Sequence, residues 1–347
     1  MEAVFPLVAG LNLDFNALPQ QLINGIIVGS IYALIALGYT MVYGVLRLIN
    51  FAHGEVFMLG AYTALLTSYT MGYSPEAVKK IFQDGGEVSS NPLNLVILIL
   101  ISMAVCAVIG ALIEFFAYRP MRGESRTAAL ITAIGVSLFL QYAGQLFLPA
   151  NPPPSISDKV NPYSGSFSHV FKPAQIAEDG NVISTAMEVS ITHGRLTMLV
   201  TVIVLMSLLT YLVMYTKAGR AMRAASHDFD SASLMGINVN RVVTFTFMLG
   251  SALAGAGAMM LATFEGTALQ PFFGVLPGVK AFVAAVLGGI GNIPGAVLGG
   301  IVMGLAETFV TWLGFSQYKD AVAFVILIIV LLLKPGGLLG SSKVEKV

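Results

Sequence analysis

The sequence predicts an all-α integral membrane protein, a polytopic helical bundle of about 8–10 transmembrane helices with broken or re-entrant segments. Three observations predict it. Only 10% of the 347 residues are charged, against about 25% in an ordinary globular domain, so most of the surface must face lipid rather than water. The apolar fraction is 56%, gathered in long runs. Glycine occurs 36 times, which suits close helix packing in a bilayer better than a water-soluble core.

A helix needs about 20 mainly apolar residues to span a bilayer. Candidate stretches are 20–46, 51–73, 93–118, 127–149, 195–215, 242–264, 276–291, 295–314 and 319–334. Stretch 276–291 is short, and 295–314 follows it after only the turn GNIP, so one of that pair is a candidate re-entrant segment. Residues 1–19 hold no lysine or arginine, so they lack the basic start of an export signal, and the first apolar run is expected to remain as a span. Cys106 lies inside an apolar run and reads as a small packed hydrophobe.

Orientation follows from the Lys and Arg of the short connections. With the N-terminus outside, the inner side collects Arg47, Arg119, Arg122, Arg126, Lys217, Arg220, Arg223, Arg241, Lys334, Lys343 and Lys346. Lys79, Lys80, Lys159, Lys172, Arg195, Lys280 and Lys319 remain outside, so eleven against seven favours N-out, C-in. The whole chain, 1–347, reads as a single transmembrane domain. Its longest polar stretch, 150–194, is rich in Pro, Ser and Asn and reads as an external loop with little regular structure. Residues 216–241 form a cytoplasmic polar segment.

Several function classes fall away. A net charge of zero gives no electrostatic case for nucleic acid. One cysteine and four scattered histidines offer no metal-ligand spacing, and no phosphate-binding loop or nucleophile elbow occurs. No cofactor, no metal and no catalytic residue are expected in this chain.

Three features could carry chemistry. The first is INFAHGE, with Asn50, Phe51, His53, Gly54 and Glu55 at a membrane boundary. Ionisable groups in a span are costly unless paired or wetted. This turn reads as locally satisfied at the start of a half-helix, as lining for a substrate path, or as a proton site. A comparable Gly-containing turn precedes 295–314, at Gly291, Asn292 and Pro294. Paired broken segments of this kind flank substrate paths in transporters. The second feature is glycine at spacing four: Gly25 and Gly29, Gly291, Gly295 and Gly299, Gly300 and Gly304. That spacing puts small residues on one helix face and lets backbones approach. The third is Lys280, read as snorkelling to the interface or as part of the path.

The polar segment GRAMRAASHDFDSASLMGINVNRV (219–242) has helix grammar. Ser226 reads as the N-cap, Asp228 and Asp230 as first-turn acids, and Gly236 as the C′ glycine. Met222, Ala225, Phe229, Ala232 and Met235 recur at three and four as one apolar stripe. The cytoplasmic ends of the spans or another protein must cover it.

Taken together, NGIIVGSIYALIALGYTMVYGVLRLINFAHGEVFMLGAY, AYRPMRG, the 219–242 segment and VKAFVAAVLGGIGNIPGAVLGG resemble the permease subunits of ABC importers for branched-chain amino acids. The likeness covers most of the chain and is weakest at 74–92 and 150–194. It is nearest the high-affinity leucine/isoleucine/valine type, with urea and short-amide permeases as relatives. The resemblance implies a multi-pass protein of the bacterial cytoplasmic membrane. It implies as partners a second homologous permease, two ATPase subunits that use the ATP, and an extracytoplasmic binding protein that delivers the amino acid. It also implies that the polar segment is a coupling helix seated in an ATPase groove through Asp228, Ala232 and Gly236, with Arg220 and Arg223 meeting acidic groups or phosphates. An ion-driven secondary transporter would need titratable residues along several spans, and only His53 with Glu55 qualifies.

Overall fold

The computed structural model describes residues 14–74, 76, 80, 92–149, 166–172, 175–176, 182–184, 187–264 and 269–340. Lys79, Lys159, Lys343 and Lys346 lie outside the described residues.

Helix α1 (Leu18–Leu46) is the buried axis of the bundle, with Pro19 in its first turn, where a missing N–H costs nothing. It ends at Arg47, which takes left-handed φ 54° and turns the chain back toward the bundle. Helix α2 (His53–Ser68) follows, extended by a wider turn at Tyr69–Tyr73. Then come α3 (Pro92–Ile113), prolonged by a similar turn at Glu114–Tyr118, α4 (Arg126–Phe147) and α5 (His193–Tyr215). Two short helices, α6 (Lys217–His227) and α7 (Phe229–Leu234), lead into α8 (Val239–Phe264). The chain closes with α9 (Val275–Gly288), α10 (Ile293–Trp312) and α11 (Lys319–Leu333).

Seven helices among the described residues are long and apolar enough to cross a membrane, and Val275–Gly288 is a shorter apolar helix. These eight and α2 coincide with the nine expected stretches. The outward faces of α3, α4, α5 and α11 are apolar, with Leu100, Phe139, Tyr211 and Leu332 exposed. Such a surface needs hydrocarbon as its solvent.

The glycine spacing works as close packing. Helices α1 and α10 run antiparallel: a Cβ on Gly25 would sit 2.9 Å from the Leu305 Cα, and one on Gly29 would sit 2.8 Å from the Gly300 carbonyl oxygen. Gly300 lies on the backbone of Ala33, and Gly304 on that of Gly25 and Gly29. Gly295 and Gly299 similarly seat α10 on Gly288 and Ala284 of α9. Elsewhere Ser102 of α3 donates to the carbonyls of Gly60 on α2 and Gly255 on α8, each at 2.9 Å, tying three helices at one point. Cys106 is fully buried beside it, as its apolar surroundings imply.

The expectation of little regular structure in 150–194 is corrected. Its described part is a nested antiparallel hairpin, with β1 (Ser166–Lys172) paired to β4 (Met187–Thr192) and β2 (Gln175–Ile176) to β3 (Val182–Ser184). Backbone pairing takes over where side-chain periodicity is weak. The hairpin is tied to α1 by the Ser190 N–H, which donates to Gln20 at 2.7 Å, and Thr192 at its end caps α5.

Candidate functional site

The first residues of helix α2 are buried in the bundle. His53 packs edge-on against Tyr39 with centroids 4.6 Å apart, and its ring fills the space a Cβ on Gly38 would need. The His53 ring thus reaches α1 at Gly38, eight residues before that helix ends. Gly54 meets Gly274 and Gly278, where a Cβ on either glycine would strike the Gly54 backbone. The first turns of α2 and α9 therefore face each other inside the bundle.

A cleft of about 250 Å³ opens beside this meeting point. Tyr39 and Phe51 border it, with Gly54 and Glu55 from α2, Ile134, Ser137, Leu138 and Gln141 from α4, and Val275, Gly278, Val279 and Phe282 from α9. Glu55 is almost wholly buried. Its Oε1 accepts from Ser137 Oγ at 3.1 Å and Gln141 Nε2 at 3.4 Å, and its Oε2 has no hydrogen-bond partner. Behind it, Asn50 accepts from Tyr118 at 3.1 Å through Oδ1, while Asn50 Nδ2 and His53 Nε2 are unpartnered. Among the described residues, three of the five buried side chains with an orphan polar atom thus fall within residues 50–55. Buried polar groups are normally satisfied, so this turn is the point where local structure has been overridden.

Sequence-predicted residues divide accordingly. Phe51, Gly54 and Glu55 line the cleft, and Asn50 and His53 support it from behind. Gly291, Asn292 and Pro294 are elsewhere. Asn292 caps α10 by accepting from Gly295 N–H at 3.1 Å, and its amide donates to the Leu339 carbonyl at 2.8 Å. That turn is built against the chain end, where Leu338 and Leu339 N–H groups bond the last carbonyls of α9. The broken partner of α2 is the start of α9, not this turn. The sequence did not single out Ser137 and Gln141, whose only advance signal was polar residues four apart within an apolar run, or Phe282, which carried none.

Lys280 does not snorkel. It is buried, its Nζ 2.8 Å from Glu307 on α10 and 2.6 Å from Asp320 on α11, with Tyr32 of α1 donating to Glu307 at 2.7 Å. A buried ammonium is tolerated only with such partners, and they lie on other helices. A second network stands at the other end. Fully buried Glu114 pairs with Arg119 at 2.9 Å and with Arg122, and accepts from Thr244 at 2.6 Å. Arg122 also donates to Asn240 at 2.6 Å. Burial pushes the Arg122 guanidinium below its usual range, and Glu114 opposes that shift.

The polar segment lies beside this network. Its N-cap is Asp228 rather than Ser226: Asp228 accepts from the N–H groups of Asp230 at 2.8 Å and Ser231 at 3.2 Å, while Ser226 donates to the Arg223 carbonyl. These hydrogen bonds hold the Asp228 carboxyl below its ordinary value. Extended backbone at Asp228 starts α7 two residues later than expected and separates it from α6, a helix that precedes the expected one. Gly236 has φ 81°, and the bonds from Gly236 N–H to Ser233 and Ile237 N–H to Ala232 close α7 as a Schellman cap. Asp228, Ala232 and Gly236 consequently do not share a face: Ala232 is buried with Met222 and Ala225, and Asp228 and Gly236 are exposed. Phe229 is half-buried, and the stripe breaks at Met235, which with Leu234 projects outward, 84% and 89% exposed. Arg220 is exposed, and Arg223 donates to the Val213 carbonyl.

Residues 21–331 match the family described as the permease component of the branched-chain amino acid transport system. The chain belongs to this family. It is 42% identical over 328 residues to the high-affinity branched-chain amino acid transport system permease protein BraD of Pseudomonas aeruginosa, covering 94% of this chain and 97% of that protein. The LivH proteins of Salmonella typhimurium and Escherichia coli K12, which carry the same high-affinity permease description, are 39% and 38% identical with the same coverage. No solved structure matches. Family membership and seven spanning helices make the chain a multi-pass membrane permease, and the AYRPMRG motif of this permease is the turn that carries Arg119 and Arg122.

Proposed function

We propose that this chain is the membrane subunit of an ABC importer that carries leucine, isoleucine and valine inward across the bacterial cytoplasmic membrane. Its N-terminus is outside and its C-terminus inside. It pairs with a second permease, receives substrate from an external binding protein, and is driven by two ATPase subunits. The observation that carries this reading is near-full-length similarity to high-affinity branched-chain amino acid permeases. No cofactor acts in this chain.

The geometry supports a division of labour. The cleft at α2, α4 and α9 is the substrate path, walled by Ile134, Leu138, Val279 and Phe282. The ATPase seats on α7, and its contact is the exposed Leu234–Met235 tip held by the Asp228 and Gly236 caps. Two large apolar side chains so exposed at a rigid helix end need a partner surface. Movement there reaches the helices through α6, buried by Met222 and Ala225, and through Asn240 and Thr244 at the start of α8.

The test is L234E/M235E, purified in mild detergent after co-expression with the partner subunits. The expected result is normal membrane insertion, at least tenfold less co-purifying ATPase, and lost leucine uptake. Wild-type association and uptake would remove the tip from the coupling role.

A further inference from the structure

Glu55 is a carboxylate without a counter-charge. Its Oε1 is held by two neutral groups, Ser137 and Gln141, and its Oε2 by none. Among the described residues, no ion pair reaches Glu55, whereas Glu114 and Lys280 are both paired. Burying an ionised carboxylate costs several kcal/mol, roughly, unless an opposite charge and hydrogen bonds offset it. The first turn of α2 supplies part of this through its dipole. A cation in the cleft would supply the rest.

The cleft restricts which cation. Beyond Glu55, Ser137, Gln141 and the Tyr39 hydroxyl, its wall is aliphatic and aromatic, a poor match to the carboxylate- and carbonyl-rich cage that a hard metal ion takes. An ammonium attached to a branched hydrocarbon fits both halves. About 250 Å³ lies below the usual range for drug-sized ligands and suits a single amino acid. Helix α9 begins on the same cleft without a side-chain cap; Val275 N–H bonds the Phe272 carbonyl and Pro277 has no N–H, so it is the dipole of this helix end, not a row of free N–H groups, that favours a carboxylate there. Urea could take N–H bonds to Glu55 but would leave the apolar wall unused.

We propose that this cleft reads a zwitterionic α-amino acid, with Glu55 as the counter-charge to its ammonium and the wall of α4 and α9 receiving its branched side chain. This rests on the permease reading above and specifies its site.

The test uses the complete transporter in proteoliposomes and photo-leucine, a diazirine amino acid that keeps the ammonium, the carboxylate and a branched side chain. ATP-driven uptake of the probe by the wild type checks the permease reading, and its absence overturns both that reading and this assignment. Illumination should then label peptides covering residues 134–141 and 275–282. E55Q should reduce that labelling at least tenfold, and E55D should retain part of it, with the partner subunits still co-purifying. Wild-type labelling in E55Q, or labelling confined to other helices, overturns the assignment while leaving the permease reading intact. A second comparison needs no variant. The diazirine acid lacking the amino group, supplied to the wild-type complex at equal concentration, should label these peptides at least tenfold less than photo-leucine. Equal labelling refutes the ammonium contact.

Discussion

Single residues in this protein derive their behaviour from partners far away in the chain. Glu114 is fully buried, yet three side chains converge on it, two of them guanidinium groups. Removing one member of such a set leaves buried charge uncompensated, at about 3–5 kcal/mol. Glu114→Ala is therefore expected to lower the thermal midpoint of the purified complex by several degrees, while Arg241→Ala, at an exposed position, leaves it unchanged. An unaltered midpoint for Glu114→Ala would show that the network is not structural. Lys280 teaches the converse about reading sequence. A lysine near a span end has snorkelling as its ordinary fate, and nothing local distinguishes it from one held by Glu307 and Asp320. Glu55 was legible as unusual because it stands beside His53 in an apolar run. Its neighbours Ser137 and Gln141 were not, since they come from a helix more than eighty residues away.

At the level of elements, hydrophobic run length and small-residue spacing carried most of the information. All nine apolar stretches became helices, and Gly25, Gly29, Gly300 and Gly304 became the seam between α1 and α10. The seam leaves no room: a Cβ on Gly300 would collide with the backbone of Ala33. Gly300→Leu should force these helices apart, costing at least the ~1–3 kcal/mol typical of overpacking. The readout is monodisperse protein recovered in detergent, expected to fall severalfold. Unchanged recovery would show that α1 and α10 can separate freely. What run length could not show is which broken helix faces which. The turns at 50–55 and 291–294 look alike in sequence, but one opens α2 inside the bundle and the other is occupied by capping α10 and holding the chain end. The polar segment was legible as helix with a C′ glycine. Its division at Asp228 was not, because a residue competent as a first-turn acid is equally competent as an N-cap.

The described residues form an apolar bundle that holds the Glu114 and Lys280 ion networks, the cleft between α2, α4 and α9, and the protruding Leu234–Met235 tip. The sequence carries no phosphate-binding loop, and the proposed function gives the use of ATP to partner subunits. The most direct test is leucine accumulation in vesicles of two kinds, one holding this polypeptide alone and one holding it with the second permease, the ATPase pair, ATP inside and loaded binding protein outside. Concentrative uptake is expected only in the second, and only with ATP. Leucine accumulating against a gradient in vesicles that contain this chain alone would contradict the assignment.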